Sequence, residues 1–264
     1  MPMLHDLDLI QHTFPGDITV YPIADVHLGA LEHAEAEWGN FLKRVEKENA
    51  FLVLAGDLLN NSTRGVRFAN PFDEVLRPRE AKKRMVEYLE PIRDRILCVV
   101  CGNHEARTVR DSDQDLAYDI CVRLDIEHLY RENIAYMCVW LGRRNTADQA
   151  VISYSFAVTH GSFGGALTGG AVNKSERFSQ IIEGVDCFVS GHVHKGFITK
   201  PAKIVIDPRN KRVSMRPYTV VSAVSWLNYG GYAARAMLTP AHVCDPQRLT
   251  LVANKDRKQI ITTW

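Results

Sequence analysis

The sequence predicts an α/β protein built on two sheets, and three observations predict it. Strand-like and helix-like segments alternate through the first half in the order β-α-β-α-β-α, the pattern of parallel strands joined by helical crossovers. The second half changes character, to strand-like runs separated by Pro, Gly and Asn. No linker, repeat or low-complexity tract divides the halves. The 264 residues therefore read as one domain, with a core over 17–196 and C-terminal strands over 197–264 completing the second sheet.

Residues 17–24 (DITVYPIA) read as the first strand. A helix over 32–49 follows, because Trp38, Phe41, Leu42 and Val45 recur at helical spacing. The apolar run 51–55 (FLVLA) suits a strand covered on both faces. Pro78 fits the first turn of a helix reaching about Arg93, with Met85, Tyr88, Leu89 and Ile92 on one face. Residues 96–101 are the next apolar strand. Ser112 is the expected N-cap of a helix burying Leu116, Ala117, Ile120, Cys121 and Leu124, with Asp115 three residues on. Residues 134–140 and 150–159 read as two strands joined by a polar turn (GRRNTADQ). A Gly-rich stretch over 161–170, a helix over 173–183 with Phe178, Ile181 and Ile182, and a strand over 186–190 come next. Further strands are expected over 197–206, 213–222, 232–238 and 248–253.

Composition narrows the function. Net charge is +1, which gives no general case for nucleic-acid or membrane binding, so any electrostatic attraction must be local. No apolar run approaches the roughly 18–20 residues that span a bilayer, and no membrane partner is expected. Residues 1–10 carry acids and lack a basic start with an apolar middle, so no secretory signal is expected. Of six cysteines, four (98, 101, 138 and 187) lie in apolar surroundings, which suits a reduced, cytoplasmic protein. Cys98 and Cys101 form C-x-x-C, but positions three apart on a strand point to opposite faces, so they read as buried apolar residues.

The chemistry lies where strands end. Asp25-Val26-His27 follows the first strand, Gly56-Asp57 the second, Asn103-His104 the third, His160 the strand over 150–159, and His192-Val193-His194 the strand over 186–190. Ligands of open α/β sheets bind beyond the carboxyl ends of strands, so five such ends converge on one place. They bring two carboxylates, one amide and five imidazoles. Such a mixed nitrogen and oxygen set suits divalent metals and is too large for one tetrahedral ion. The D-x-H and H-x-H spacings put each pair on one side of extended chain. Alone, His27 or His160 would read as an ordinary histidine, Asn103 as a turn residue and Asp57 as a helix cap; together, at successive strand ends, they read as ligands. His5, His12, His33, His128 and His242 belong to no motif.

DVHLG (25–29), GD (56–57), GNHE (102–105), His160 and GHVH (191–194) together resemble the five ordered motifs of the calcineurin-like metallophosphoesterases. The resemblance implies a four-layer αββα sandwich, two mixed sheets packed face to face and flanked by helices. It implies two divalent ions, manganese first, with iron, zinc, nickel or magnesium as alternatives. Asp25, His27, Asp57 and His194 would hold one ion; Asp57, Asn103, His160 and His192 would hold the other, with Asp57 bridging. His104 would face the phosphate without binding metal, as a proton donor at the leaving oxygen. Glu105 reads as a supporting residue rather than a ligand. Two such ions, two carboxylates and a bridging hydroxide leave the centre about +1, which attracts a phosphoester anion. The implied reaction is phosphoester hydrolysis by that hydroxide.

The substrate is less specified. The family's protein phosphatases carry G-D-x-V-D-R-G, whereas this chain reads GDLLNNSTRG, with Arg64 seven residues beyond Asp57, which argues against a protein phosphatase. DVHLG resembles the first motif of a nuclease branch that also carries a capping domain, yet only about 70 residues follow His194 here. Two loops, 60–70 with Arg64 and Arg67 and 106–110 with Arg107 and Arg110, offer arginine forks to phosphate oxygens. Arg107 is the foremost of these. The Gly-rich stretch 161–170 suits close backbone approach to a ligand or a moving lid. The leading reading is a phosphodiesterase acting on nucleic acid or nucleotides. A phosphomonoesterase for a small ester is the alternative, and a non-catalytic module on this fold is a third reading.

Overall fold

The computed structural model describes residues 7–63, 72, 74–142, 151–162, 167–235, 237, 239–254 and 258–264. Its elements in chain order begin with β1 (Leu9–Phe14), β2 (Ile18–Ile23), α1 (Glu35–Lys47), β3 (Phe51–Leu54) and α2 (Pro78–Leu89). After a 3₁₀ segment come β4 (Ile96–Val100), α3 (Ala106–Ser112), α4 (Leu116–Arg123), β5 (Tyr130–Arg131), β6 (Ile134–Leu141) and β7 (Ile152–Thr159). Then follow α5 (Thr168–Ser179), β8 (Cys187–Ser190), β9 (Phe197–Thr199), β10 (Ala202–Asp207), β11 (Arg212–Pro217), β12 (Thr219–Ser222), α6 (Gly231–Arg235), β13 (Arg248–Leu251) and β14 (Ile260–Thr263).

These form two six-stranded mixed sheets, ordered β14-β13-β2-β3-β4-β5 and β1-β6-β7-β8-β12-β9, and a separate two-stranded ribbon, β10-β11. In the first sheet β2, β3, β4 and β5 run parallel, as the helical crossovers require. The sheets face each other over one core. Ala135, Met137, Val139 and Leu141 of β6 and Tyr154, Phe156 and Val158 of β7 alternate into this core, and Phe14 of β1 packs on Phe51 of β3 across the two sheets at 4.6 Å between ring centroids. The helices α1 and α2 cover the first sheet's other face with Trp38, Phe41, Met85 and Leu89. On the second sheet's outer face, Ala171 of α5 packs with Ala157, Phe188 and Val220. The result is the expected αββα layering. Among the described residues no helix is long and apolar enough to cross a membrane.

Several local expectations change. The C-terminal strands are shared between sheets: β9 and β12 join the second, whereas β13 and β14 extend the first. The N-terminal β1, unexpected from sequence, takes a second-sheet edge beside β6. Ser112 ends α3 instead of capping α4. Asp113 takes the left-handed conformation (φ 56°) that stops the helix, and Asp115 caps α4 by accepting from Tyr118 N at 3.0 Å. Residues 106–110 form the start of α3, not a loop. The α5 helix begins at Thr168, so Gly169 and Gly170 lie in its first turn, and Ile181 beyond its end is exposed. Of the strand expected over 232–238, residues 232–235 belong to α6 instead, and 236 and 238 lie outside the described residues. The apolar runs 197–206 and 213–222 each split into two strands, and their outer halves leave the sheet as the ribbon.

Candidate metal centre

The strand-end residues converge. Asp25 and His27 follow β2, Asp57 follows β3, Asn103 and His104 follow β4, His160 follows β7, and His192 and His194 follow β8. Each turn is sharp. Asp25, His27, Asp57, His192 and His194 all have φ between 50° and 71°, the left-handed region that side chains with a Cβ rarely adopt. Gly56 and Gly102 make the close packing possible. A Cβ on Gly102 would collide with Asp57 N and Oδ1, and one on Gly56 would come within 2.9 Å of His160 Nδ1.

Two sets of ligand atoms result. In the first, Asp25 Oδ1 lies 3.3 Å from His194 Nε2 and 3.7 Å from His27 Nε2, and the two imidazole nitrogens lie 3.2 Å apart. In the second, His160 Nε2 lies 3.2 Å from Asp57 Oδ2 and 2.9 Å from Asn103 Oδ1, which is also 2.6 Å from His192 Nδ1. A single oxygen, Asp57 Oδ2, faces His160 of the second set and, at 3.8 Å, His27 of the first. Within each of the groups Asp25-His27-His194 and Asp57-His160-His192 the ligand atoms lie within 4.8 Å of one another.

The hydrogen-bonded surroundings fix these orientations. His160 Nδ1 donates to Ala55 O at 2.8 Å, which turns Nε2 toward the centre. The other oxygen of each carboxylate is anchored: Asp25 Oδ2 accepts from His192 N at 2.9 Å and Asp57 Oδ1 from His104 N at 2.8 Å. Asp25 Oδ1 is buried with no hydrogen-bond donor. Lone pairs of carboxylate, amide and imidazole thus point at one another in a buried space, an arrangement that a cation satisfies and that few hydrogens can. The electrostatics agree. Burial raises the Asp25 and Asp57 carboxyls, but His194 beside Asp25 and His160 beside Asp57 outweigh it, and both stay well below the usual carboxylate range. Burial lowers His160 while Asp57 raises it further, to about 10, and Asp25 likewise raises His194. The centre therefore demands positive charge. The donor set fits divalent metal.

His104 stands at the rim, its side chain 18% exposed, and Nε2 lies 3.8 Å from Asp57 Oδ2. Its Nδ1 donates to Asn60 O. Burial pushes the imidazole down to about 3, so it is neutral. The group His27-Asp57-His104 also lies within 4.8 Å, so geometry alone allows His104 as a ligand. The opening is on this side and beside His194, whose side chain is 34% exposed.

The arginines are placed unevenly. Arg107 is buried, with Nη1 donating to Asn60 O at 3.3 Å and Asn61 O at 3.2 Å, so it braces the backbone that holds His104. Arg110 is exposed and donates from Nε to Ala106 O. Arg64 and Arg67 lie outside the described residues, as does the middle of the Gly-rich stretch.

Sequence reasoning understated Glu105. It is fully buried and ties three strand-end amides together: Oε2 accepts from Asp57 N and Gly102 N, both at 3.1 Å, and Oε1 from Leu59 N at 2.8 Å. Burial, then the Asp57 charge, pushes its carboxyl up to about 8, against the pull of those donors. A sixth strand end was missed. After β12, Trp226 N and Ser225 Oγ donate to Asp25 O at 3.0 and 3.3 Å. A search for Asp, His and Asn passes over the sequence AVSW because its contribution is a backbone amide and a serine hydroxyl. His33, which belongs to no motif, supports the first turn with Nδ1 2.8 Å from Val26 O.

Residues 18–196 match the model of a family described as calcineurin-like phosphoesterase. Solved structures to which the chain has a distant likeness include a metallophosphoesterase from Sphaerobacter thermophilus, 12% identical, with a TM-score of 0.39 over 90% of this chain and 84% of that one. A conserved protein of Streptococcus pneumoniae TIGR4, described as a predicted phosphoesterase, is 11% identical, with a TM-score of 0.37 over 95% and 100%. GAP50, the anchor in the inner membrane complex of Plasmodium, is 11% identical, with a TM-score of 0.49 over 94% and 84%. No curated protein matches the chain in sequence.

Proposed function

The chain belongs to the calcineurin-like phosphoesterase family, hydrolases of phosphoric esters, and from that premise we propose that it is a dinuclear phosphodiesterase acting on nucleic acid or nucleotides. The observation that carries two ions is the single oxygen Asp57 Oδ2, which faces both ligand sets. Asp25, His27, Asp57 and His194 would hold one ion, and Asp57, Asn103, His160 and His192 the other, with manganese the leading metal. Divalent ions held there would supply Lewis acidity at the phosphoryl oxygens and make water a nucleophile at neutral pH.

The chain's own residues do the rest. Ala55 O and Asn60 O orient His160 and His104, and Glu105 fixes the two turns that carry Asp57 and Asn103. His104, its Nδ1 proton held by Asn60 O, would donate from Nε2 to the leaving oxygen as the imidazolium, a form that the anionic phosphoester beside it favours. Two features favour a diester. Two dications less the two carboxylates and one hydroxide leave about +1, which suits the single charge of a diester. Arg107, the arginine nearest His104 in sequence, has Nη1 engaged by the carbonyls of Asn60 and Asn61. A dianionic monoester would call for more positive charge.

Turnover of bis(p-nitrophenyl) phosphate and p-nitrophenyl phosphate by the manganese-loaded protein tests this reading. Faster diester turnover is expected. Faster monoester turnover with manganese, zinc and nickel alike would replace it with the phosphomonoesterase.

A further inference from the structure

The β10-β11 ribbon pairs with neither large sheet. Its register sets Ala202 opposite Pro217, Ile204 opposite Met215 and Ile206 opposite Val213. Side chains alternate along a strand, so these six share one face, and that face is wholly apolar. The other face carries Lys203, Val205, Asp207, Arg212, Ser214 and Arg216. Usual patterning would turn the apolar face inward. Here the polar face meets the body: Lys203 Nζ donates to Ile182 O at 3.4 Å, and Arg216 Nη2 to Gly184 O at 3.1 Å with Asp186 Oδ1 at 3.5 Å. The apolar face points out. Ile204, Ile206, Val213 and Met215 are 74%, 71%, 66% and 76% exposed. Isolated two-stranded ribbons are marginal in water, and exposed aliphatic side chains gathered on one face mark a contact surface.

Charge selects the occupant. Residues 200–217 hold six basic side chains (Lys200, Lys203, Arg209, Lys211, Arg212 and Arg216) and one acid, Asp207, in a chain of net charge +1. Asp207 accepts from Asn210 N and Nδ2 and so shapes the basic tip. A second copy is disfavoured. Stacked tip to tip, or tip to base, two ribbons would bring like charges together. Four aliphatic side chains also offer a few hundred Å², against the ~800 Å² per partner of a standard interface. Nucleic acid is disfavoured because the outward face offers aliphatic groups and no ring to stack on a base. An anionic lipid surface takes both features: acyl chains receive the aliphatic face and headgroups the basic tip.

We propose that the β10-β11 ribbon docks this protein on an anionic membrane surface. The fold permits it without blocking the metal centre. The β8 strand ends at Ser190, two residues before His192, β12 runs parallel to it, and β9 runs antiparallel to β12. Thus β9 leads away from the centre, and the ribbon springs from the opposite end of the sheet.

Vesicle flotation with the full chain tests the proposal, using phosphatidylcholine vesicles with about 30% phosphatidylserine and vesicles of phosphatidylcholine alone. Binding to the anionic vesicles is expected, falling about tenfold or more at about 0.5 M salt. The exposed substitutions Ile204→Ser with Met215→Ser, and separately Arg209→Glu with Lys211→Glu, should each weaken binding about tenfold or more. Both variants should keep wild-type melting and turnover of a soluble ester, since neither pair touches the core or the metal centre. Equal flotation of wild type and both variants would overturn the proposal, as would failure to float. A doubled mass in light scattering that Ile204→Ser/Met215→Ser abolishes would assign the face to a second copy instead. Salt-sensitive retention on DNA without flotation would assign it to nucleic acid.

Discussion

At the scale of single residues, His104 poses the sharpest question. It sits within ligand distance of His27 and Asp57, yet its Nδ1 is held by Asn60 O and its ring lies at the open rim. The two roles make different demands. A ligand would be needed for metal retention; a proton donor would matter most when the leaving oxygen is basic. We expect His104→Asn to keep its metal content and to lose about 10²–10⁴-fold in rate on an alkyl ester. The loss should be far smaller with p-nitrophenolate, which leaves without a proton. Equal losses on both esters together with missing metal would make His104 a ligand. The convergence of Asp25, His27, Asp57, Asn103, His160, His192 and His194 was legible in the sequence because each stands just beyond a strand end. The supports were not, because Ala55, Asn60 and Trp226 act through backbone atoms that any residue carries.

At the scale of elements, the site is a set of strand-end turns held against one another. Glu105, on the turn between β4 and α3, reaches across to the turn after β3 and accepts from Asp57 N and Leu59 N as well as from Gly102 N. Its sequence position reads as a supporting residue rather than a ligand, and its burial makes it a strut. Glu105→Gln retains the shape but presents an NH₂ to at least one of those amides. A buried amide left unpaired costs about 1–3 kcal/mol. The variant should melt about 2–12 °C lower, and its metal affinity should fall, because Asp57 and Gly102 are no longer fixed together. Unchanged melting and metal affinity would show that the strut is dispensable. The strands β2, β3, β4, β6, β7 and β8 were legible because buried runs and alternation are strong signals. The ribbon was not: its outward aliphatic residues follow strand periodicity as faithfully as a core strand does, and period alone does not say which face meets the body.

At the scale of the whole molecule, the centre is a joint between two sheets. Asp25, His27, Asp57 and Asn103 stand on turns of the first sheet, and His160, His192 and His194 on turns of the second. Each ligand set takes members from both. The sheets are otherwise held by apolar packing, which is non-directional and does not by itself bring buried carboxylates and imidazoles together. Holding them close without a cation is unfavourable, since two carboxylates and facing imidazole lone pairs then rely on the protons of His160 and His194. Divalent metal removes that cost only in the native arrangement, because unfolding separates the two halves of each set. Metal should therefore stabilise the whole fold. At a free concentration about 100 times Kd, one site contributes about 2.7 kcal/mol. For a chain of this size that is roughly 5–10 °C in melting temperature. Melting curves recorded in chelator and across a manganese series should show the midpoint rising with the logarithm of concentration above Kd. A His192→Ala/His194→Ala variant removes the second sheet's β8 ligands and should melt at one temperature throughout the series. A midpoint in the wild-type protein that ignores manganese over concentrations that saturate turnover would mean the sheets are clamped without it, and the centre would then be an adornment of the sandwich and not its joint.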